Sequence, residues 1–190
     1  ADILGAVVEV ASGLTLDAFL RSQLLEPLGM TDTHFYVPRE KAARLATVYS
    51  LPQGGGLVRA PDGAGMQAQG QYVDGPGVSF SGGAGLVSTA ADYARFLQML
   101  LNGGALEGVR VLSPSSVALM TADHIGERYG VPGVGFGLGF SVVEDLGARG
   151  SPGSVGEFGW GGAYHSTYWV DPAEELVVVY LTQVIPAAGL

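Results

Sequence analysis

The sequence contains no cysteine, one lysine (Lys41) and one asparagine (Asn102) in 190 residues. Without cysteine there are no disulfides, no thiolate nucleophile and no thiolate-ligated metal. Basic residues number 9 against 18 acidic, for a net charge of −9. That balance argues against a nucleic-acid partner, because phosphate binding needs a basic face. No apolar run reaches the ~18 residues expected of a membrane span. Several motifs are also missing: the phosphate-binding G-x-x-x-x-G-K-[ST], the dinucleotide fingerprint G-x-G-x-x-G and the nucleophile elbow G-x-S-x-G. His34, His124 and His165 are far apart and lack H-E-x-x-H spacing, so no metal site and no cofactor is expected. What remains is a globular composition, 47% hydrophobic and 14% charged.

Residues 1–11 place Ile3, Leu4, Val7, Val8 and Ala11 at helical spacing, with Ser12 and Gly13 as a stop. A second helix fits residues 16–25, capped by Thr15, with Leu16, Phe19, Leu20 and Leu24 as its apolar stripe. Residues 26–30, Glu-Pro-Leu-Gly-Met, then turn the chain. Residues 50–85 lose all period and read as a long functional or mobile loop. Thr89 and Asp92 form a capping-box-like start. Tyr93, Phe96, Leu97 and Leu100 make that helix's buried stripe, and Asn102-Gly103-Gly104 ends it. Ser113-Pro114 opens a short helix ending near Met120 or Thr121. The last third reads as strands over residues 136–143, 164–170 and 175–183, with a proline turn at 171–174 that makes the last two a hairpin. Helices first and paired strands later predict α+β packing, an antiparallel sheet flanked by helices. No internal repeat or domain boundary is visible in residues 1–190.

The acids are scattered: Glu144-Asp145 and Glu174-Glu175 fall at strand ends, where charge is solvated. His34 and His124 stand in polar, turn-like contexts and read as surface residues. His165 is placed beside Tyr164 on a strand next to a glycine cluster, which makes it a candidate to face a ligand. The most informative segment is Gly156-Glu157-Phe158-Gly159-Trp160-Gly161-Gly162-Ala163, where glycines around one tryptophan let a backbone approach something closely. Its structural alternative is a bulged strand start with a core tryptophan.

That segment, followed by Tyr168-Trp169-Val170-Asp171-Pro172 and Val179-Tyr180-Leu181-Thr182-Gln183, resembles the third motif of serine hydrolases of the class C β-lactamase family. The resemblance is to the esterase and transesterase branch, which has W-G-G where β-lactamases proper have K-T-G. Ile3 to Gly13 looks like the helix after the family's tyrosine motif. Glu26-Pro27-Leu28-Gly29-Met30-Thr31-Asp32-Thr33 and Ser81-Gly82-Gly83-Ala84-Gly85-Leu86-Val87-Ser88-Thr89-Ala90-Ala91-Asp92 are similar to two further family segments. The resemblance covers nearly everything except residues 50–77, and implies a β-lactamase/DD-peptidase-like fold.

The resemblance also implies a mechanism. A serine in S-x-x-K attacks an ester or lactam carbonyl, the lysine helps to deprotonate it, and a tyrosine in Y-x-N relays protons. The third-motif strand supplies a backbone N–H to the oxyanion hole. On this carry-over Trp160, Gly161 and Gly162 are the third motif and Ala163 donates the oxyanion N–H. Trp160, Tyr164 and His165 contact a small-molecule ester. S-x-x-K cannot occur, since Pro38 stands three residues before Lys41; Y-x-N cannot occur, since Leu100 stands two before Asn102. The expectation is therefore a C-terminal portion of one such domain, inactive alone and partnered by the missing N-terminal half or a second chain. The end should also lack the family's closing helix. The rival expectations are a non-catalytic binding module, a split-enzyme subunit, or a β-lactam or D-amino-acid peptide as substrate.

Overall fold

A computed structural model describes residues 1–52, 54–65 and 67–185. The chain is α+β. In order it forms α1 (Asp2–Ser12), α2 (Leu16–Leu20), β1 (Tyr49–Ser50), β2 (Val58–Arg59), α3 (Ala90–Leu101), β3 (Ala105–Leu106), β4 (Val109–Arg110) and α4 (Pro114–Met120). There follow β5 (Val134–Phe136), β6 (Ser141–Val143), α5 (Leu146–Arg149), β7 (Phe158–Gly161), β8 (Thr167–Asp171), β9 (Leu176–Tyr180) and β10 (Val184–Ile185). The fold groups into two compact units. Of the described residues, one comprises those within 1–93, 163–165 and 182–185; the other comprises residues 94–162 and 166–181. Among the described residues no single helix is long and apolar enough to cross a membrane.

In the first unit, α1 ends on Gly13, whose positive φ of 71° lets its N–H close on the Glu9 carbonyl. Thr15 caps α2 through its hydroxyl, and the Glu9 carboxylate accepts the Leu16 N–H at 2.8 Å. The helix expected over residues 16–25 exists but changes character half-way, continuing as a π turn over Arg21–Leu25. That wider turn swings Leu25 into the buried set with Leu16, Leu28 and Met30.

The Thr89 hydroxyl accepts the Asp92 N–H, half of the expected capping box. The other half is not made, because the Asp92 carboxylate is occupied elsewhere. It accepts the Asp32 N–H at 2.7 Å and the Thr33 hydroxyl at 2.9 Å, and the Ser88 hydroxyl lies 2.7 Å from that of Thr33. Next to this cluster the His34 and Val87 backbones exchange two hydrogen bonds of 2.9 Å. On the solvent side Asp32 holds Arg44 with two 2.8 Å bonds and Lys41 at 2.8 Å. The one lysine is thus committed to a structural ion pair.

Residues 50–85 are irregular but organised. The Gln69 side chain accepts the Val48 N–H and donates to the Val48 and Ala60 carbonyls, at 2.8–3.0 Å. This amide bridge stands over a small apolar cluster of Val48, Ala60 and Ile185, against which Tyr164 packs. β10 and β2 flank β1, parallel and antiparallel respectively.

The second unit is built on a five-stranded antiparallel sheet in sequential order, β5-β6-β7-β8-β9. Val142, Val143, Phe158 and Val170 are buried, and the Phe140 and Phe158 rings meet edge to face at 5.2 Å. The expected strand over residues 136–143 is in fact a hairpin. Gly137 and Phe140 close a turn, Gly139 takes a φ of 103°, and β5 folds back on β6. The 171–174 turn forms as expected, with the Asp171 carboxylate accepting the Ala173 and Glu174 N–H groups. α4 starts on the Ser113 hydroxyl cap with Pro114 in its first turn. The expected absence of a closing helix concerns residues 186–190, which lie outside the described residues.

Two outcomes follow. Asp92 is only 6% exposed, so Asp92→Ala removes the acceptor of the half-buried Asp32 N–H and of the buried Thr33 hydroxyl. It is expected to cost about 3 kcal/mol, the scale of buried hydrogen bonds to a charged acceptor, read from urea unfolding. Second, the Arg44 and Lys41 hydrogen bonds hold the Asp32 carboxyl well below the ordinary carboxylate range. A depressed folded pKa gives stability that is full above about pH 4 and lost as pH falls through the folded value. Asp32→Asn should therefore lower the urea midpoint at pH 7, and the gap to the unsubstituted chain should begin to narrow below about pH 4 and close only as the pH approaches the folded value.

Candidate active-site strand

The W-G-G segment lies on β7 and just beyond it. β8 pairs with β7 along its whole length, with Phe158 opposite Val170, Gly159 opposite Trp169, Trp160 opposite Tyr168 and Gly161 opposite Thr167. On the other side β6 pairs only with Phe158 and Gly159, opposite Val142 and Ser141. The Ser141 hydroxyl donates to the Gly159 carbonyl at 2.9 Å, and the ladder ends there. From Trp160 onward that edge of β7 has no strand partner among the described residues. Trp160, Gly161, Gly162 and Ala163 are all exposed. A strand edge with glycines in place of side chains presents bare main chain, which is what close approach to a ligand carbonyl requires.

A close approach explains only one of the glycines. A Cβ added at Gly159 would collide with the Tyr168 carbonyl oxygen and crowd Trp169. At Gly161 and Gly162 the nearest atoms belong to Ser166, at 3.4 Å and beyond, so those glycines are free of steric demand from the fold. Gly159 is required by packing; Gly161 and Gly162 keep the exposed edge clear. Trp160 is 43% exposed. Its ring stands edge to face on Phe136 at 5.0 Å, and Phe136 rests on Tyr129 at 5.4 Å. The indole is therefore a propped, half-open apolar wall, and the bulged-strand, core-tryptophan alternative does not describe it.

Beyond Gly162 the chain departs from expectation. Tyr164 and His165 are not in a strand. The Gly162 N–H donates to the Ser166 carbonyl at 2.8 Å, and residues 163–165 form a tight three-residue turn. His165 takes a φ of 66° in the left-handed region, the last position of a three-residue hairpin loop, where glycine is usual. The Tyr164 carbonyl accepts the Val184 N–H at 3.2 Å. Burial and the Tyr164 hydroxyl raise the Tyr72 phenol to about 12. Among the described residues the Ala163 N–H donates to no acceptor.

The other histidines are elsewhere. His34 is half-buried in the first unit, 3.4 Å from the Lys41 ammonium, and burial lowers its pKa. His124 is exposed, with Nε2 2.8 Å from the Leu119 carbonyl. Among the described residues no group of three or more His, Cys, Asp or Glu side chains could hold a metal. Sequence reasoning raised Tyr72 as a cleft-lining candidate without committing to it and missed the role of Thr182; both contact the turn from loops elsewhere in the sequence, and no local pattern marks that.

The model of the Beta-lactamase family matches residues 1–187. The chain belongs to that family. It is 39% identical, over 97% of its length, to Protein Rv1367c of Mycobacterium tuberculosis (strain ATCC 25618 / H37Rv), and covers 47% of that protein. It is 34% identical, over 95% of its length, to the Esterase EstB of Burkholderia gladioli, again covering 47% of it. Among solved structures it is similar to EstCE1, a hydrolase with promiscuous acyltransferase activity. The TM-score is 0.79 at 31% identity, over 96% of this chain and 49% of that one. The chain thus spans about half the length of the curated relatives it matches.

The packing role of Gly159 can be isolated. Gly159→Ala forces β7 away from β8 and is expected to cost about 1–3 kcal/mol, as overpacked sites do. Gly161→Ala, which meets only a 3.4 Å contact, should leave the urea midpoint nearly unchanged.

Proposed function

We propose that this chain carries the oxyanion strand and the acyl-pocket wall of a serine hydrolase that cleaves carboxylic esters through an acyl-enzyme. The observation that carries the reading is the open edge of β7. It combines a half-exposed Trp160, bare backbone at Gly161 and Gly162, and an Ala163 N–H with no acceptor among the described residues. Similarity to an esterase and to a hydrolase with acyltransferase activity supports the same class.

In this reading the nucleophilic serine, its activating lysine and the relaying tyrosine come from the rest of the domain. The serine oxygen attacks the ester carbonyl carbon, and the carbonyl electron pair moves onto oxygen. The Ala163 N–H donates to that oxygen together with the serine's own N–H. Such a donor gains strength as charge builds, and removing one from an oxyanion hole costs roughly 3–4 kcal/mol of barrier. The alkoxide then leaves with a proton from the tyrosine–lysine pair, and water later hydrolyses the acyl-enzyme. Trp160 offers a flat apolar face to the acyl chain. A tryptophan at the head of the motif places no cation where a β-lactam carboxylate would be engaged, which favours neutral esters.

The test joins residues 1–190 to an upstream segment bearing S-x-x-K and Y-x-N. The joined protein is expected to hydrolyse short-chain p-nitrophenyl esters, and the 190-residue chain alone to take no fluorophosphonate label by intact mass. Activity confined to β-lactams or D-amino-acid peptides would overturn the ester reading. A stoichiometric label on the short chain would overturn the placement of the nucleophile outside it.

A further inference from the structure

The turn that follows the third motif is held from outside the strand, and one side chain makes two of its contacts. The Thr182 hydroxyl lies 3.0 Å from the Tyr164 carbonyl oxygen and 3.0 Å from the His165 carbonyl oxygen. A hydroxyl has one proton, so the two carbonyls share it. Two successive carbonyls converge on one donor only if the backbone between them is sharply curled, and the residue between them is His165 at φ 66°. A non-glycine residue is uncommon in that region and persists where its surroundings over-determine it. Here the surroundings are explicit: Thr182, the Val184 N–H on the Tyr164 carbonyl, and the Tyr72 and Tyr164 hydroxyls in contact. The peptide plane that contains the Ala163 N–H lies two planes ahead of the one whose Tyr164 carbonyl Thr182 holds, at the start of the same three-residue turn.

We infer that Thr182 is a positioning residue: its hydroxyl fixes the 163–165 turn and thereby aims the Ala163 N–H at the developing oxyanion. The inference rests on the reading of Ala163 as an oxyanion donor. Thr182 touches no substrate; it acts through the carbonyls of Tyr164 and His165. An oxyanion donor must be pre-aimed, because its value depends on needing no reorganisation when charge appears. A shared hydrogen bond to two carbonyls of a strained turn supplies that rigidity from outside the strand.

The experiment uses the joined, serine-bearing protein with Thr182→Val, which keeps the shape and removes the hydroxyl, and Thr182→Ser, which keeps the hydroxyl. Three quantities are read: kcat and KM on a p-nitrophenyl ester, the rate of fluorophosphonate labelling, and the thermal midpoint. Thr182→Val is expected to lower kcat and the labelling rate roughly 10-fold, less than the ~10²–10³ of deleting a donor outright. KM should be unchanged, and Thr182→Ser should recover most of the rate. Unchanged kcat and labelling in Thr182→Val would overturn the inference. So would a Thr182→Ser protein as slow as Thr182→Val, or rate losses that merely follow a fall in thermal midpoint. Phosphonylation separates the two readings. If labelling slows as expected while no ester is turned over, the ester reading fails and the Thr182 inference stands. If the serine of the joined protein takes no label at all, both fail.

Discussion

The exposed edge at Trp160–Gly162 depends on how closely β7 can lie against β8 at one residue. At Gly159 the neighbouring main chain comes so near that no Cβ fits against the Tyr168 carbonyl. The approach keeps the β7–β8 ladder in register up to Gly161 opposite Thr167. On the other flank β6 stops at Ser141, whose hydroxyl closes the ladder on the Gly159 carbonyl. One strand is therefore gripped on both sides through Gly159 and on one side only beyond it. That asymmetry turns a structural strand into an exposed hydrogen-bonding edge with a rigid base. The edge strand is a liability in most folds. Here it is kept short and ends at once in the curled turn of residues 163–165.

The first unit depends in a similar way on one carboxylate. Asp92 lies 59 or 60 residues away from the two groups it binds, Thr33 and the Asp32 N–H. It draws together the chain after Glu26-Pro27-Leu28-Gly29-Met30 and the start of α3. These are two of the segments that carried the family resemblance without carrying chemistry. Their composition has a physical reason. A buried carboxylate needs short donors close by, and Thr33 and the Asp32 N–H provide them. Asp32 then points outward to Arg44 and Lys41. Lys41 is thus explained by charge balance on the loop it belongs to.

Elements that depend on local chemistry were readable in advance: the Gly13 stop, the Thr15 and Ser113 caps, the 171–174 turn and the final hairpin each form as their residues dictate. Features that depend on tertiary partners were not. The capping box at Thr89 is half-made because Asp92 has better-placed donors far away. The run 136–143 looked like one strand because glycines do not break an apolar count, yet Gly137 and Gly139 fold it into two. His165 looked like a strand residue because residues 164–170 alternate ring and small side chains, but it takes the left-handed last position of a three-residue hairpin loop. Within the candidate site, the sequence singled out the segment Trp160, Gly161 and Gly162, which lies on and just beyond the open edge of β7. It could not show which glycine serves packing and which keeps the edge clear, nor that Phe136 props the indole. Those distinctions are distances between strands.

The face of α1 connects the fold to the proposed function. Its apolar positions recur at helical spacing, a pattern that ordinarily marks a face turned into a core. Yet Ile3, Leu4, Val7 and Val10 are 80%, 70%, 56% and 88% exposed, and the one buried residue of the helix is Gly5. Gly5 is buried because α1 lies tight against Gly82 and Leu16 on its inner side, so the helix is docked and its outer stripe is left over. Four large apolar side chains on one short helix are a strong demand for cover by the standards of a free surface. The relatives it matches are about twice as long as this chain. In the proposed reading, that stripe and the open edge of β7 are two aspects of one condition: surface made to be covered by the rest of a β-lactamase-fold domain, apolar at α1 for stability, and bare main chain at β7 for chemistry.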